Sequence, residues 1–479
     1  MRDWERESLS HDAIHGYIAF TSGAAEPGEV SEREIIDHPW VQRMRQIHQL
    51  QTAWWVFPTA EHTRFQHVLG TMHLASRAAA ALYDSLAAVC PDVPSRAYVE
   101  SLLRLAGLLH DVGHGPFGHF FDDHYLADFG LTHETLGGKI IRDELGHLLA
   151  RIRRNPRGRL AESERLDPDQ ISFLITRPAG GTPAPQDPAT DTRHGPAIPR
   201  WLSHLRSLFC GLYTIDNMDF VLRDAYMSGY AARAFDMERL LHYSFFSDLG
   251  LTIHARGLPA LVRFIGVRAE LFRSLYFHRT VRAIDMELAE LFADSKAYLF
   301  PDGKNPLEHL DEYRRMTEWS LLVDVARWAA SGDATQSAVG LRWTRFLNRQ
   351  VRWKMACERT LFFPPAAAES SSIFSRASFV EEALRARLPA ALRTLPLRVD
   401  LARHVHRPGT RGPTAGQNYL FDGARGGIRA LTADELFRQI PLSFRICRVY
   451  SETNAHDAPL AAALDALIEP GGTDDKTNM

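Results

Sequence analysis

The sequence predicts a mainly α protein, a helical bundle followed by a smaller C-terminal α/β lobe. Three observations carry that expectation. Much of the first 300 residues repeats apolar side chains at three- and four-residue spacing with few breakers. After about residue 300 short β-branched runs take over. Proline and glycine cluster in a few segments and leave the periodic stretches intact.

Taken in order, "LASRAAAALYDSLAAV" (74–89) and "AYVESLLRLAGLLH" (97–110) read as apolar helices. The segment "RPAGGTPAPQDPATDTRHGPAIPR" (177–200) reads as a surface insertion or loop. "GLYTIDNMDFVLRDAYMSG" (211–229) is helical and stops at a glycine. Residues 261–295 read as one long helix, on which Arg268, Arg279 and Arg282 would lie within roughly 60° of one another at 100° per residue. "LPLRVDLARHV" and "SFRICRVYS" read as strands, with a loop-like stretch (407–427) between them. The expected division is a catalytic bundle over 1–300, a mixed lobe over 301–469 and a disordered tail over 470–479.

Composition narrows the function classes. The chain has 479 residues, 45% hydrophobic and 24% charged, with a net charge of −3. A near-neutral balance disfavours a nucleic-acid coat or a membrane-surface protein, although a local basic patch could still meet nucleic acid. Cys90, Cys210, Cys357 and Cys447 form no CxxC pair, which fits a reducing compartment. The opening residues are charged and no apolar run reaches the length of a membrane span, so a cytoplasmic protein is expected.

The chemistry concentrates in "HDVGHGPFGH" (110–119). His110 and Asp111 end an apolar helix, and adjacent imidazole and carboxylate can reach one cation. His67, early in another helix, and Asp216, at the start of the helix that runs to Gly229, would complete a His, His-Asp, Asp set. Mn, Mg, Fe or Zn suits such donors, and open coordination positions favour catalysis over a structural role. A His-Asp dipeptide is common by chance. Packing explains each histidine of the string singly, but the group poorly.

Together these strings resemble the HD-domain phosphohydrolases, and more closely their deoxynucleoside triphosphate triphosphohydrolase (dNTPase, dGTPase-like) branch. The resemblance rests on "HDAIHGYI" (11–18), "IIDHPWVQRMRQIHQL" (35–50), "WWVFPTAEHTRFQHVLG" (54–70), residues 110–119, "LTHET" (131–135), "IDNMDFVLRDAYMSG" (215–229) and "RSLYFHR" (273–279). It covers roughly residues 10–290 and weakens in the C-terminal lobe.

The resemblance implies an HD-domain bundle in which His67, His110, Asp111 and Asp216 hold the metal. His114, His119 and His133 would line the phosphate site, with Asp122 supporting them. Arg64 and Arg268 would bind phosphate, Gln49, Leu50 and Tyr276 would surround the deoxyribose, and Asp224 would touch the sugar. A triphosphate brings about four negative charges, so cations must compensate them. The implied reaction releases a deoxynucleoside and tripolyphosphate. His119 is the first choice for protonating the leaving 5′-oxygen, with Asp122 three residues on to hold its ring, although spacing does not apportion roles among the histidines.

The resemblance further implies a dimer or tetramer and a nucleotide effector read by Asp37, Gln42 and Arg45. The other reading of that segment is a helix start, capped by Asp37, with proline in the first turn and its arginines exposed. Asn217 stands where relatives carry a basic residue and Phe220 where they carry tyrosine, while Ser8 and Leu9 replace a lysine and a valine. Two rival readings stay open. One is an HD hydrolase acting on a monophosphate, a signalling nucleotide or a nucleic-acid end. The other is a nucleotide-sensing module with an idle site.

Overall fold

The helix Arg96–Leu109 organises the fold. Ser95 caps it, its side chain accepting from the backbone N–H of Tyr98, and every residue from Tyr98 to Leu109 is buried. A helix apolar all round is a core helix. Its one deeply buried cation, Arg104, is neutralised by Glu32, with Nε to Oε1 at 2.5 Å and Nη2 to Oε2 at 2.9 Å. The helix Arg64–Val89 packs along it.

The structure, a computed structural model, describes residues 4–24, 26–177, 198–299, 304–362, 373–405, 418–424, 426–431 and 443–468. Most of the expected 177–200 loop and the expected 470–479 tail lie outside these residues. The protein is mainly α with a small C-terminal α/β lobe. Its contacts group the chain into two units, one of Met1–Leu271, Lys296–Asp324 and Arg407–Leu436, the other of Phe272–Ser295, Val325–His406 and Phe437–Met479. This differs from a single cut at residue 300.

The first unit opens with an antiparallel hairpin, Glu7–Asp12 against Gly16–Thr21. The helix Ile215–Met227 packs on Arg64–Val89, and Leu258–Leu271 packs on Ile215–Met227. A four-stranded sheet runs in the order Gly427–Ala430, Tyr419–Asp422, Gly250–His254, Ser244–Ser247. Two expectations change here. Residues 244–254 lie in a region read as helical, and part of the loop-like 407–427 stretch forms a strand parallel to Gly250–His254.

In the second unit Ser443–Ser451 is the central strand between Lys354–Phe362 and Leu397–Val405, all antiparallel. Val380, Leu384, Leu397, Val449, Leu460 and Leu464 form its core beneath the helices Ala377–Arg387 and Asp457–Ile468. The single helix expected over 261–295 is divided. Leu258–Leu271 passes into a π-helical turn, Phe272–Tyr276, and a new helix starts at Arg279. Arg268 and Arg282 therefore share no helix face, and Arg282 is paired with Asp400 at 2.7 Å.

Candidate active site

Three helix termini deliver the first cluster. Thr63 and Gln66 form a capping box at the start of Arg64–Val89, with Thr63 N–H donating to Gln66 Oε1 at 2.7 Å, which sets His67 in the first turn. His110 is the C-cap of the buried helix Arg96–Leu109, and Asp111 follows it. Thr214 caps Ile215–Met227, accepting from Asn217 N–H at 3.0 Å, and Asp216 sits in that first turn.

The four side chains converge. His67 Nε2 lies 3.2 Å from His110 Nε2 and 3.2 Å from Asp216 Oδ1. His110 Nε2 lies 3.3 Å from Asp111 Oδ1 and 3.7 Å from Asp216 Oδ1. The far side of each ring is engaged: His67 Nδ1 with Asp219 Oδ2 at 2.7 Å, His110 Nδ1 with the Gly107 carbonyl at 2.8 Å. In the neutral tautomers these acceptors favour, two lone pairs face each other between two carboxylates. That arrangement is stable around a cation. Without a metal, a proton takes its place: burial alone would lower His67, but Asp216 and Asp219 outweigh it and raise it to about 10. His67, His110 and Asp111 form a donor set that could hold a divalent metal, with Asp216 Oδ1 against both imidazoles, and the set does not select the metal's identity.

A second cluster adjoins the first through Asp111. His114 Nε2 is 3.4 Å from Asp111 Oδ1, and its Nδ1 faces Asp122 Oδ1 at 3.8 Å. His114 is fully buried, and neither ring nitrogen has a hydrogen-bond partner among the described residues. Burial, together with the Arg64 charge, holds it well below the usual histidine range, so its ring is neutral. Asp122 makes its closest contact with His133 Nδ1, while His119 Nδ1 stands 3.4 Å away. The expectation that Asp122 serves His119 is corrected to this extent: His133, at the start of His133–Lys139, takes the stronger bond. Burial would raise Asp122, but the surrounding imidazoles of His114 and His133, with hydrogen bonds to His119 and His133, hold it below the usual carboxylate range. His119 is 64% exposed at its side chain.

Arg64 links the clusters. Its Nη1 donates to Asp111 Oδ2 at 2.5 Å, deep in the protein. Gly118, at φ +58°, makes room for it, since a Cβ there would meet Arg64 Nη2 at 2.2 Å. Asp111 is held well below the usual carboxylate range; burial opposes this, but His110, Arg64 and His114 prevail. The loop between the clusters is braced from behind. Arg43 is buried and donates to the carbonyls of His114 (2.7 Å) and Met316 (2.7 Å), and the Tyr313 hydroxyl donates to the Gly113 carbonyl at 2.8 Å.

Other predicted residues are placed as follows. Gln49 and Leu50 follow a backbone pairing of residues 47–49 with 62–64, through Gln49 N–H to His62 O and Arg64 N–H to Ile47 O, both 3.0 Å. Leu50 is buried, and Gln49 Oε1 is a buried acceptor without a hydrogen-bond partner among the described residues. Asp224 is buried and takes a bond from His62 Nε2 at 2.8 Å. Arg268 is half-buried on Leu258–Leu271. Tyr276 belongs to the second unit, its ring 4.8 Å from Phe272.

At the expected effector segment, Asp37 is not an N-cap. It ends Glu32–Ile36 and accepts from Arg33 at 3.3 Å, while His38 caps Pro39–Gln42. Its neighbour Arg43 is buried, not exposed. Arg45 donates to Gln42 Oε1 at 2.8 Å and lies 3.6 Å over the Phe65 ring.

Sequence reasoning passed over His15, His62 and Arg223, and read Asp219 as a helix-surface carboxylate. The i, i+3 spacing of Asp216 and Asp219 was the available signal, since it puts both carboxylates on one helix face.

The fold and the clusters define the class. Residues 64–174 match the family model described as HD domain, so this part of the chain is an HD domain, a fold of metal-dependent phosphohydrolases. The chain is more particularly homologous to deoxynucleoside triphosphate triphosphohydrolases. It is 27% identical to deoxynucleoside triphosphate triphosphohydrolase SAMHD1 of Homo sapiens over 326 residues, covering 64% of this chain and 49% of that protein. It is 25% identical to the SAMHD1 homolog of Dictyostelium discoideum over 299 residues, 61% of this chain and 50% of that one. The chain thus spans about half the length of these relatives. Uncharacterized protein YwfO of Bacillus subtilis is 27% identical over 72% of this chain and 71% of its own. A crystal structure of a hypothetical protein from Aquifex aeolicus has the same fold, with a TM-score of 0.65 at 22% identity, covering 96% of this chain and all of that one. No helix of the described residues is long and apolar enough to cross a membrane.

Proposed function

We propose that the protein hydrolyses deoxynucleoside triphosphates to deoxynucleoside and tripolyphosphate. The observation that carries this reading is the sharing of Asp111. It belongs to a cation-holding set on one side and stands 3.4 Å from a neutral, unpartnered histidine on the other. Homology to triphosphohydrolases supports the substrate class.

His67, His110, Asp111 and Asp216 would hold a divalent cation, which would supply Lewis acidity and make water more acidic there. Arg64 keeps Asp111 ionised and adds positive charge where the phosphate must sit. His114 and His133 offer ring N–H groups to phosphate oxygens, with Asp122 fixing the His133 ring. Water oxygen bonds to the α-phosphorus as the bond to the 5′-oxygen breaks, and His119, exposed beside Asp122, gives that oxygen its proton. Gln49 and Leu50 meet the sugar, with Asp224 and Arg268 completing the substrate contacts. A nucleotide effector at Asp37, Gln42 and Arg45, and assembly into a homo-oligomer, belong to the same reading.

The test is purified protein with Mn or Mg and each dNTP, singly and mixed, with products resolved by ³¹P NMR. Tripolyphosphate is expected. Activity appearing only in mixtures assigns an effector. Release of orthophosphate or pyrophosphate, or turnover of other nucleotides alone, overturns the substrate assignment.

A further inference from the structure

Asp219 is fully buried, and among the described residues its hydrogen bonds are to nitrogens. Oδ2 meets His67 Nδ1 at 2.7 Å and accepts from Arg223 Nε at 2.9 Å. Oδ1 meets His15 Nε2 at 2.6 Å and accepts from Arg223 Nη2 at 3.0 Å. Asp216 and Asp219, three apart on Ile215–Met227, therefore face opposite nitrogens of the same imidazole. An acceptor at Nδ1 fixes the tautomer whose lone pair is on Nε2, the atom that faces His110 and Asp216. Helix Arg64–Val89 leaves a gap for this carboxylate one turn past His67. A Cβ on Gly70 would stand 2.0 Å from Asp219 Oδ1 and 2.4 Å from Arg223 Nη2.

The outer half of the network comes from the N-terminal hairpin. Asp12 Oδ2 accepts from Arg223 Nη1 at 2.8 Å, and Asp12 Oδ1 accepts the backbone N–H groups of Ile14 and His15 at 2.9 Å each. One aspartate thus shapes the turn, returns His15 toward Asp219, and anchors the arginine that Asp219 also holds.

We propose that Asp219 is the positioning residue for His67, and that the hairpin Glu7–Thr21 locks it through His15 and Asp12, coupling hairpin order to cation binding. The inference rests on His67 being a metal ligand. Coupling between sites is reciprocal, so a hairpin that readies His67 for a cation is itself steadied when the cation binds.

The experiment uses full-length protein stripped with a chelator and titrated with Mn²⁺ by calorimetry, alongside hydrogen exchange of residues 7–21 with and without Mn²⁺. Circular dichroism checks each variant for folding. Asp219→Asn is expected to weaken Mn²⁺ binding by about 10–100-fold. His15→Gln weakens it less, and hairpin exchange slows on adding Mn²⁺ in the wild type but not in Asp219→Asn. Equal Mn²⁺ affinity in the wild type and Asp219→Asn, or hairpin exchange indifferent to the cation, overturns the proposal. If Asp219→Asn does not fold, His15→Gln decides, because it removes one contact and leaves the rest: unchanged affinity and unchanged exchange sink the coupling. A wild type that takes up no Mn²⁺ sinks the metal-site reading itself. That result is distinct from wild-type uptake that Asp219→Asn does not alter.

Discussion

Two histidine-rich clusters sit either side of Asp111, each with donors that could hold a metal ion, and they differ in how their rings are held. Around His67 and His110, each ring is held on its Nδ1 side, and the Nε2 atoms and carboxylate oxygens point inward at a common centre. Around Asp122, three histidines converge on one carboxylate, one of them neutral and buried, another exposed. Second contacts that fix each ring and leave one lone pair converging suit a cation. Rings sharing one carboxylate, at graded exposure, suit proton transfer and phosphate oxygens. The residue types are alike. The partners on the far side of each ring set the chemistry.

Breaking the first cluster should have the largest effect. Asp111→Ala or His110→Ala is expected to remove bound metal and reduce dNTP turnover to background, checked by elemental analysis and product assay on the same sample. A variant that loses its metal yet keeps turnover would erase the distinction between the clusters.

Breaking the second cluster should spare the metal. His119→Ala is expected to lower kcat by about 10²–10⁴-fold while metal content stays at the wild-type level. The defect should shrink on a substrate whose leaving group needs no proton. If His133→Ala shows that leaving-group dependence and His119→Ala does not, the acid role moves to His133.

A smaller effect should come from Gln49, whose side-chain oxygen is buried without a hydrogen-bond partner among the described residues. Gln49→Leu is expected to raise KM by about 10-fold with little change in kcat, read from steady-state kinetics. An unchanged KM would take Gln49 out of the substrate contacts.

The smallest effect concerns pH and lies outside both clusters. Burial would lower His48, but its bond to Glu318 Oε1 at 2.8 Å, with the charges of Glu318 and Glu61, raises it overall. A raised histidine contributes stability that is fully present below its unfolded value, near 6.5, and fades as pH rises through the folded value. Glu318→Gln should therefore cost more stability at pH 5.5 than at pH 8.5, measured by denaturant unfolding. A pH-independent gap would remove His48 as its source.

Much of the first cluster was legible in the sequence because its ligands sit at helix termini, where caps and periodicity mark the position. The helix start that carries His67 and the apolar run before His110 are both visible. The strands over 397–405 and 443–451 were legible for a local reason too, short strand-like segments separated by a loop-like stretch. What escaped was set by contacts distant in sequence. His15 reaches Asp219 across 204 positions, and nothing local in "IHGY" signals that. Asp219 and Asp224 read equally well as helix-surface carboxylates, but both are buried, Asp219 against Arg223 of its own helix and His15 of the hairpin, Asp224 against His62. The division of the 261–295 helix was hidden because the π-helical turn over Phe272–Tyr276 keeps helical spacing while shifting the face.

The most direct test joins cation and product in one measurement: ³¹P NMR of dNTP turnover by the wild type and by Asp111→Ala, with the metal content of each sample determined. The account predicts tripolyphosphate from the metal-loaded wild type, and neither metal nor product from the variant. Tripolyphosphate formed by protein shown to hold no cation, or undiminished by Asp111→Ala, would contradict it.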